Sequence, residues 1–369
     1  MAKQKKWFRR VVKFSFISLN VLAVVLLTLA VFIPNIRNEQ FWPIGFIGLA
    51  FPYIVLMLFL SIVFWLIVKP RLALISVMAL LVGYKQISVF FGFSLAGYKI
   101  EAKDSTTLRI VTWNVQSFNG LTKNKNTKRL IREDILDLIK HYQPDIICLQ
   151  EFNHSKNAGP PADNLDFFKK EFPYIFFPVD YAYGNYQTGT IILSKLPIVA
   201  TGKLRYANEE HLLYASVTRG IDTIRVYTTH LQSFNFKPTD YQNIEHIKQQ
   251  ESLRGSRSLI RKLRTGNIFR NKQADLVRAE LAKFNGHSVI CGDFNDVPNS
   301  YTYFTIKHNR QDAFLQKDFG LGRSFVAIAP TLRIDYILPS QSLEVIQFDS
   351  ADEGLSDHVM LVCDVRVKK

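Results

Sequence analysis

Six short polar motifs, far apart in the sequence, carry the residue types that could do chemistry. Each lies at the end of an apolar run, and they are Trp113-Asn114-Val115, Leu149-Gln150-Glu151, Thr229-His230-Leu231-Gln232, Gly292-Asp293-Phe294-Asn295-Asp296, Arg333-Ile334-Asp335-Tyr336 and Ser356-Asp357-His358. Together they supply carboxylates, side-chain amides and two imidazoles, without a cysteine cluster. Hard divalent cations prefer oxygen ligands, so this set of residues indicates such a cation acting on a phosphate ester.

The strands that the motifs follow must position them. Glu151 and Asp293 each come after a short apolar strand, and Asn114 and His230 end strands of their own. Strand ends at one edge of a sheet are rigid and can aim several side chains into one cleft. A single acidic residue after a strand is more often a loop charge. Six motifs of complementary chemistry favour one shared site instead.

From about residue 104 onward the sequence reads as a soluble domain. Helices are predicted over Lys128–His141 and Asn164–Glu171 and within Tyr241–Phe284. The predicted strands are Leu108–Val115, Ile146–Gln150, Tyr174–Pro178, Thr190–Ser194, Leu213–Thr218, Thr223–Thr229, Ser288–Cys291, Ile334–Leu338 and Val359–Val367. Many strands with a few interspersed helices predict a layered α/β domain over residues 104–369.

Residues 1–100 are mostly apolar and predict a membrane anchor. Val11–Ile33 and Ile44–Val68 are long enough to cross a bilayer, since a span needs about 20 mostly apolar residues. A third stretch, Leu72–Phe93, carries Lys85 near its far end, which would have to snorkel, so two or three spans are predicted. A cleaved signal peptide is the alternative for the first stretch, but no small-residue cleavage site follows it.

The charges that flank these stretches predict their orientation in a cell (inner) membrane. Basic residues crowd the N-terminus and recur at Lys69 and Arg71, whereas Arg37 stands alone between the first two stretches. By the positive-inside rule the N-terminus is cytoplasmic. With three spans the domain after residue 104 lies outside the cytoplasm. If the third stretch only lies on the surface, the domain is cytoplasmic.

The net charge of +15 is unevenly divided along the chain. Residues 1–103 hold 12 Lys/Arg and 2 Asp/Glu, a net charge of +10, so the remaining residues carry only +5. Much of the basicity therefore belongs to the apolar region and is poor evidence for nucleic-acid binding. The cysteines, Cys148, Cys291 and Cys363, each lie in an apolar strand-like run, where a thiol usually behaves as a small buried hydrophobe.

Taken in order, the motifs WNV, LQE, THLQ, GDFND, RIDYI and SDH resemble those of a known superfamily. The chain from about 108 to 367 resembles the endonuclease/exonuclease/phosphatase superfamily, which includes pancreatic-type DNases, abasic-site endonucleases, neutral sphingomyelinases and inositol polyphosphate 5-phosphatases. Gly189–Pro197 is similar to the family's central strand and the turn after it. The resemblance implies an α/β fold, a four-layer sandwich of two packed β-sheets flanked by helices. Here N-terminal transmembrane helices would precede it, as in a membrane-anchored bacterial-type member.

The resemblance implies a site for Mg²⁺ or Mn²⁺. Glu151 would be the principal carboxylate ligand, with Asn114 beside it and Asp357 as a second metal-site or water-network residue. Mg²⁺ typically binds only a few protein ligands and completes its coordination with waters and substrate oxygens. Gln116 departs from the pattern, because some nucleases of the family have an acidic residue there, and a metal contribution from that position is in doubt.

The resemblance also implies catalytic roles. Asp293 would orient and deprotonate the attacking water, and Asn295 would hold that water or the phosphate. His358, with its tautomer fixed by Asp335, would bind a non-bridging phosphate oxygen or act as the acid–base partner. His230 would contact the scissile phosphate or assist the leaving group. Abasic endonucleases tend to carry Tyr at this last position, which disfavours that subfamily. The implied reaction is metal-assisted in-line attack by water on phosphorus.

A basic segment between His230 and Asp293, about residues 233–270, bears on the substrate. Tyr241–Lys283 has a net charge of +6, more than the whole soluble part. A solvated helix face is one interpretation, and contact with a polyanion or with anionic headgroups is another. The candidate substrate-binding residues are Arg254, Arg257, Arg261, Lys262 and Arg264.

Three functional hypotheses remain open. An endonuclease-type phosphodiesterase would act on DNA or RNA, and a phospholipid or inositol-phosphate hydrolase would act on headgroups. A non-catalytic membrane scaffold is disfavoured, because every catalytic residue type of the family is present. The partners implied are the phosphoester and the lipid bilayer, and no obligate protein partner is inferred.

Overall fold

The computed structural model describes residues 2–37, 39, 41–94, 103–118, 125–155, 163–207, 210–234 and 256–368. The helices of these segments are α1 Ala2–Val31, α2 Ile44–Val68, α3 Pro70–Val82, α4 Tyr84–Ser88, α5 Lys125–His141, α6 Asn164–Lys169, α7 Ser256–Ala282, α8 Tyr301–Lys307 and α9 Ala313–Lys317. The strands are β1 Gly92–Phe93, β2 Leu108–Asn114, β3 Ile146–Ser155, β4 Tyr174–Phe176, β5 Tyr181–Tyr183, β6 Tyr186–Ser194, β7 Ile198–Arg205, β8 His211–Arg219, β9 Asp222–His230, β10 His287–Asp293, β11 Phe319–Gly320, β12 Asp335–Pro339, β13 Leu343–Ala351 and β14 Met360–Val367.

The strands of the described segments form two large sheets. One has the order β12-β10-β9-β8-β7, and the other has the order β13-β14-β2-β3-β6-β4 with β5 paired to β6. Each sheet has a parallel pair near its centre, β9 with β10 and β2 with β3. Parallel strands end at the same edge of their sheet, so the two pairs present several strand ends side by side.

Alternation along the strands explains how the layers pack. On β2, Leu108 and Ile110 enter the apolar cluster between the two sheets, whereas Val111 and Trp113 enter a second cluster that includes α5 and α6 residues. Successive strand residues point to opposite faces, so β2 serves two layers. A third cluster joins the other sheet to α7 and α8 around Val277. The order helix, sheet, sheet, helix confirms the predicted four-layer α/β sandwich.

The N-terminal region contains two helical segments that are long and apolar enough to cross a membrane. They are Arg10–Asn35 and Ile44–Val68, and Pro70–Val82 is a shorter apolar helix. Phe16, in the middle of α1, stacks on Phe64 near the end of α2 with ring centroids 3.9 Å apart, and α2 begins 13 residues after α1 ends. These two helices therefore run antiparallel.

The third predicted apolar stretch, 72–93, differs from the sequence expectation. It is divided at Gly83 into α3 and α4 and ends in the short strand β1, so it is not one continuous helix. Asn20 Nδ2 donates to Ser76 Oγ at 2.8 Å, and Leu27 packs against Gly83 at the same sequence separation. α3 and α4 thus run parallel to α1, back toward the α/β domain.

The N-terminal helices contact the α/β domain at the end of the bundle where α1 meets α2. Arg37 Nη2 lies 3.0 Å from Asp275 Oδ2 of α7, and Lys272 Nζ of α7 lies 2.8 Å from Glu39 Oε1. β1 pairs with β11 in a separate two-stranded sheet. Ion pairs and strand pairing together hold the bundle against the domain.

Candidate active site

The predicted catalytic residues continue the rows of side chains that fill the space between the sheets. Val289 and Cys291 of β10 belong to the inter-sheet cluster, and Asp293 is the next residue of that row. In the strand register, Asp293 lies opposite His230 of β9 on one side and Asp335 of β12 on the other. Period-two alternation therefore brings these three polar side chains to one edge of the inter-sheet core.

Glu151 reaches the same edge through a β-bulge. The pairing of β3 with β6 shifts register between Leu149 and Phe152, and Glu151 has a left-handed backbone with φ of 52°. A bulge breaks the alternation, so Glu151 does not turn toward the helices as its position would otherwise require. Its carboxylate Oε1 accepts a hydrogen bond from Asn114 Nδ2 at 3.1 Å. The Glu151 side chain is 39% exposed, so it can receive a ligand.

Asp293 is the most enclosed acid of the group, with 1% of its surface exposed. Its Oδ1 accepts from the Asn295 backbone N–H at 2.8 Å, and its Oδ2 accepts from Asn114 Nδ2 at 3.1 Å and Asn295 Nδ2 at 3.3 Å. The preceding Gly292 is required by close packing, because a Cβ there would lie 2.2 Å from the Thr229 carbonyl oxygen. Asp293 is therefore a fixed, buried carboxylate.

His358 and Asp335 form a buried pair beside Asp293. His358 Nδ1 lies 2.9 Å from Asp335 Oδ2, and His358 Nε2 lies 3.7 Å from Asp293 Oδ2. Burial favours the neutral ring, but the negative charges of Asp335 and Asp293 outweigh it and raise the pKa of His358. Trp113 Nε1 donates to the His358 carbonyl at 2.8 Å and holds its backbone in place.

His230 approaches Asp293 from the other side. Its Nε2 lies 3.5 Å from Asp293 Oδ2 and 4.0 Å from Glu151 Oε1. Its Nδ1 lies 3.5 Å from Glu210 Oε1, which is the carboxylate partner that the sequence did not identify. Burial favours the neutral imidazole, but the charges of Glu210, Asp293 and Glu151 outweigh it and raise the pKa of His230.

Asp357 is tied to the group by Gln116, the residue at the departing position. Gln116 Nε2 donates to Asp357 Oδ2 at 3.0 Å, and the Gln116 backbone N–H donates to Asn114 Oδ1 at 3.0 Å. Gln116, Ser117 and Phe118 all have left-handed backbones, an arrangement that costs energy in non-glycine residues. Burial raises the pKa of Asp357. Gln116 Oε1 is buried and has no hydrogen-bond partner among the described residues.

Two sets of side chains in this region fit a divalent cation. Asp293, Asp335 and His358 have potential ligand atoms that all lie within 4.8 Å of one another, but Asp335 and His358 already bond to each other. The second set is the Glu151 and Asp357 carboxylates with the side-chain oxygen Oε1 of Gln116, and all three residues line one cavity. The second set consists of oxygen atoms, one of them a buried acceptor without a partner, and it fits a hard cation better.

Two cavities meet at the catalytic side chains. A cavity of about 550 Å³, hereafter the apolar cavity, is lined by the polar side chains of the site, among them Asp293, His358 and Glu151, and by a larger area of apolar side chains. A second cavity of about 210 Å³, hereafter the polar cavity, lies beside Asp180 and Glu210. Glu151 and His230 line both cavities. The phosphorus of a substrate placed between the two would lie next to Glu151 and His230, with Asp293 and His358 in the wall of the apolar cavity.

The predicted basic substrate contacts do not line either cavity among the residues described. Arg257, Arg261 and Arg264 are exposed on α7, and Lys262 is half-buried there. The α7 residue that lines the apolar cavity is Leu263. Arg254 falls outside the described residues.

A comparison with protein families decides the membership of the chain. The model of the Endonuclease/Exonuclease/phosphatase family matches residues 111–358, which include all six motifs. The chain belongs to this family. A second family model, Domain of unknown function (DUF8431), matches residues 11–90, the N-terminal helices. No curated protein matches the chain.

Solved structures similar to this member of the endonuclease/exonuclease/phosphatase family have low sequence identity to it. The endonuclease/exonuclease/phosphatase from Beutenbergia cavernae DSM 12333 is 19% identical, with a TM-score of 0.49 and coverage of 71% of this chain and 72% of that one. The human Nocturnin catalytic domain with bound sulfate anion is 20% identical, with a TM-score of 0.49 and coverage of 73% and 96%. D. rerio TDP2 complexed with single strand DNA product is 19% identical, with a TM-score of 0.47 and coverage of 72% and 100%.

Proposed function

We propose that the protein is a membrane-anchored, divalent-metal-dependent phosphodiesterase that hydrolyses its substrate by in-line attack of water. The observation that carries this proposal is the convergence on the Asp293 carboxylate. Its Oδ2 lies within 3.7 Å of the side-chain nitrogens of Asn114, Asn295, His230 and His358. Glu151, a more exposed carboxylate, lies on the other side of the same asparagine. One enclosed base and one accessible acid suit metal-assisted water attack.

Asp293 is the proposed general base. Three nitrogen donors hold its carboxylate in one orientation, and its position at the cavity wall allows a water molecule to bind against it. Asn295 fixes that orientation through its backbone and side chain and is placed to hold the water or the phosphate. The oxygen of the water bonds to phosphorus while the ester P–O bond breaks, and the products are a phosphomonoester and an alcohol.

The two histidines are the proposed cationic groups. His358, held by Asp335, donates a hydrogen bond to a non-bridging phosphate oxygen as negative charge develops there. His230, held by Glu210, is the donor placed nearer the polar cavity, and it supplies a proton to the leaving oxygen. The raised pKa of each imidazole favours the protonated form that these roles need.

Glu151 is the proposed principal ligand for Mg²⁺ or Mn²⁺, and Asp357 contributes from the opposite side of Gln116. Asn114 orients Glu151 through its amide nitrogen, and its carbonyl oxygen retains a second lone pair for the cation. The bound cation would polarise the phosphoryl oxygen and offset the negative charge of the transition state.

Membrane anchoring is proposed from the surface of the N-terminal bundle. Large apolar side chains are exposed along its helices, including Leu60 at 58% and Ile67 at 81% on α2, which a soluble surface of this size would not tolerate. The third apolar stretch follows α1 to its end, since Ser76 of α3 bonds to Asn20 and Gln86 of α4 donates to the Val31 carbonyl, so it returns to the end of the bundle that contacts the domain. Three passes put the domain on the side opposite Lys69 and Arg71, outside the cytoplasm.

Hydrolysis of a soluble bis-aryl phosphodiester by the purified full chain tests the proposed chemistry. Turnover is expected with Mg²⁺ or Mn²⁺ and not with EDTA. Asp293→Asn and Glu151→Ala are each expected to lower kcat by about 10³-fold or more, as is typical for a general base or metal ligand. Glu344→Gln, which removes an exposed carboxylate that pairs with Arg366 at the far end of β13, is the matched control and should keep full activity. Undiminished turnover in either site variant would contradict the assignment.

Protease digestion of intact cells tests the proposed side of the membrane. The domain after residue 104 is expected to be digested from outside without permeabilisation. Protection of the domain until the cells are permeabilised would place it in the cytoplasm and reject the three-pass arrangement.

A further inference from the structure

The apolar cavity has a wall made of a predicted membrane helix. Leu49 and Tyr53 of α2 line it together with side chains of the catalytic domain. The apolar side chains that the domain contributes are those of Phe234, Leu263, Val297, Phe325, Ile328, Ala329, Leu332 and Ile334. One cavity therefore contains both the Asp293 and His358 side chains and the surface of a helix that would lie in or at a bilayer.

Close packing holds this helix wall in place. A Cβ added at Gly48 of α2 would lie 2.5 Å from the Asn299 carbonyl oxygen, so α2 and the 297–299 loop are nearly in backbone contact. Residue 297 of that loop follows directly on the motif that contains Asp293 and Asn295. The position of α2 relative to the catalytic carboxylates is therefore set by backbone contact rather than by flexible side chains.

The polar cavity on the other side of the catalytic groups has a different character. It is lined by Asp180, Glu210, Thr188 and Tyr181 in addition to Glu151 and His230. Acidic and hydroxyl groups there suit a polar substituent that is neutral or cationic and disfavour an anionic one. A phosphodiester held between the two cavities would carry one apolar and one polar substituent.

We propose that the substrate is a lipid phosphodiester, bound with its hydrocarbon chains in the apolar cavity against α2 and its headgroup in the polar cavity. This inference rests on the proposed phosphodiesterase function and names its substrate class. A volume of about 550 Å³ accommodates the glycerol-proximal part of such a lipid, and the remaining chain length can stay in the bilayer beside α2.

A polynucleotide fits the same site less well. Its backbone continues as an anion in both directions from the scissile phosphate, whereas the described linings of both cavities contain carboxylates and no Lys or Arg. Among the residues described, the exposed arginines of α7, Arg257, Arg261 and Arg264, are not part of the lining of either cavity. Phosphate contacts along a nucleic acid would need such cations beside the catalytic groups.

Photolabelling of the full chain tests the location of the lipid without relying on turnover. The Asp293→Asn variant is placed in nanodiscs that contain a phospholipid with a diazirine in its acyl chain, and the labelled peptides are identified by mass spectrometry. Label is expected on the segments that contain Leu263 and Phe325–Leu332, which belong to the catalytic domain. Ala329→Trp, which adds bulk to the cavity wall, is expected to lower that labelling about 10-fold without changing the label at Leu56 on the exposed face of α2. Label confined to the N-terminal helices would overturn the proposal.

Chain-length dependence tests the same inference by turnover. Two phosphodiesters with the same choline headgroup, one with long acyl chains in vesicles and one soluble with short chains, are compared by kcat/KM. The wild type is expected to favour the long-chain ester by about 10-fold or more, and Leu49→Gln is expected to lose most of that preference, since one apolar contact in a pocket is worth about 10-fold. Leu56→Gln makes the same change on α2 outside the cavity and should keep the wild-type preference. Tyr53→Ser, at a half-exposed position, serves if Leu49→Gln does not fold.

The outcomes separate the inference from the function on which it rests. Equal kcat/KM for both chain lengths, or faster cleavage of a single-stranded oligonucleotide than of any lipid, would overturn the lipid assignment while the phosphodiesterase stands. If the soluble bis-aryl diester is not hydrolysed with any divalent cation, the proposed function fails. The photolabelling result then decides alone whether the cavity binds lipid.

Discussion

Replacing Asp335 by Asn tests whether the His358 imidazole works through its carboxylate partner. The substitution keeps the shape of the Asp335 side chain but removes its negative charge, which lies 2.9 Å from Nδ1 of His358. Both residues are buried, with 2% of Asp335 and 7% of His358 exposed. A hydrogen bond to a charged group contributes about 1.5–3 kcal/mol. If that energy is realised only in the transition state, kcat falls by about 10- to 150-fold while KM changes little.

The pH dependence of the variant follows from the sign of the shift. The charge of Asp335 raises the pKa of His358, so the imidazolium of the wild type persists to high pH and is lost only above that raised value. Without this charge the pKa of His358 falls and the imidazolium is lost at lower pH. The activity of Asp335→Asn relative to the wild type is therefore expected to decline further as the pH rises from 6 to 9.

The assay is the pH profile of kcat on the soluble bis-aryl diester, with thermal unfolding measured for both proteins. Asp349→Asn is the matched control. It removes the charge of a β13 carboxylate that accepts a hydrogen bond from the Tyr142 hydroxyl, and it should follow the wild-type profile. A variant Asp335→Asn that retains wild-type kcat at every pH would refute the assignment of the pair. Loss of activity with a collapsed melting temperature would instead show that Asp335 is needed for folding.

Three further outcomes are expected from the same structure. Gly292→Ala should lower the free energy of unfolding by about 3 kcal/mol or more, because φ is 129° and the new Cβ would lie 2.2 Å from a backbone carbonyl oxygen. Gly184→Ala, with no atom within 4 Å of the new Cβ, should lower it by about 1 kcal/mol. Urea denaturation measures both. Asp364→Ala should lower the free energy of unfolding by about 3–5 kcal/mol, because it removes the carboxylate that pairs with the buried Arg109 guanidinium. Glu344→Ala removes an exposed ion pair and should lower it by less than about 1 kcal/mol. Removing divalent cations with EDTA should lower the melting temperature, since the acids of the site then repel one another, and excess Mg²⁺ should restore it.

The catalytic edge was predictable because strand alternation is short-range. Asn114, His230 and Asp293 end strands whose apolar rows are visible in the sequence, and the structure brings these three residues within hydrogen-bonding or near-contact distance. Their chemical roles remain proposals. The position of Glu151 depends on a bulge in the β3–β6 pairing, which no local pattern shows. Its place was predicted from the order of the motifs rather than from its backbone.

Other elements were missed for identifiable reasons. β13 has a register shift between Val345 and Gln347 that breaks its alternation, and β7 is an edge strand with mostly exposed residues. Glu210 could not be paired with His230 from the sequence, because the contact depends on the β8–β9 register, in which Leu212 lies opposite Thr229. These features depend on which strands pair, and pairing is a long-range property.

The N-terminal region shows the limit of hydropathy alone. The first two apolar stretches coincide with α1 and α2, whereas the third is divided at Gly83 and ends in a strand that pairs with Phe319–Gly320. Hydropathy could not reveal that Leu49 and Tyr53 would line the catalytic cavity. That contact requires the docking of the bundle onto the catalytic domain.

Metal-dependent hydrolysis at the edge between the two sheets is tested by a Mn²⁺ titration of phosphodiesterase activity in the wild type and in Glu151→Gln. The wild type is expected to reach a saturating rate, and the variant is expected to need at least about 10-fold more Mn²⁺ for half-maximal rate because one carboxylate ligand has lost its charge. An equal Mn²⁺ concentration for half-maximal rate in the two proteins would contradict the role of Glu151 as a metal ligand. Activity that persists in EDTA would contradict metal-dependent hydrolysis.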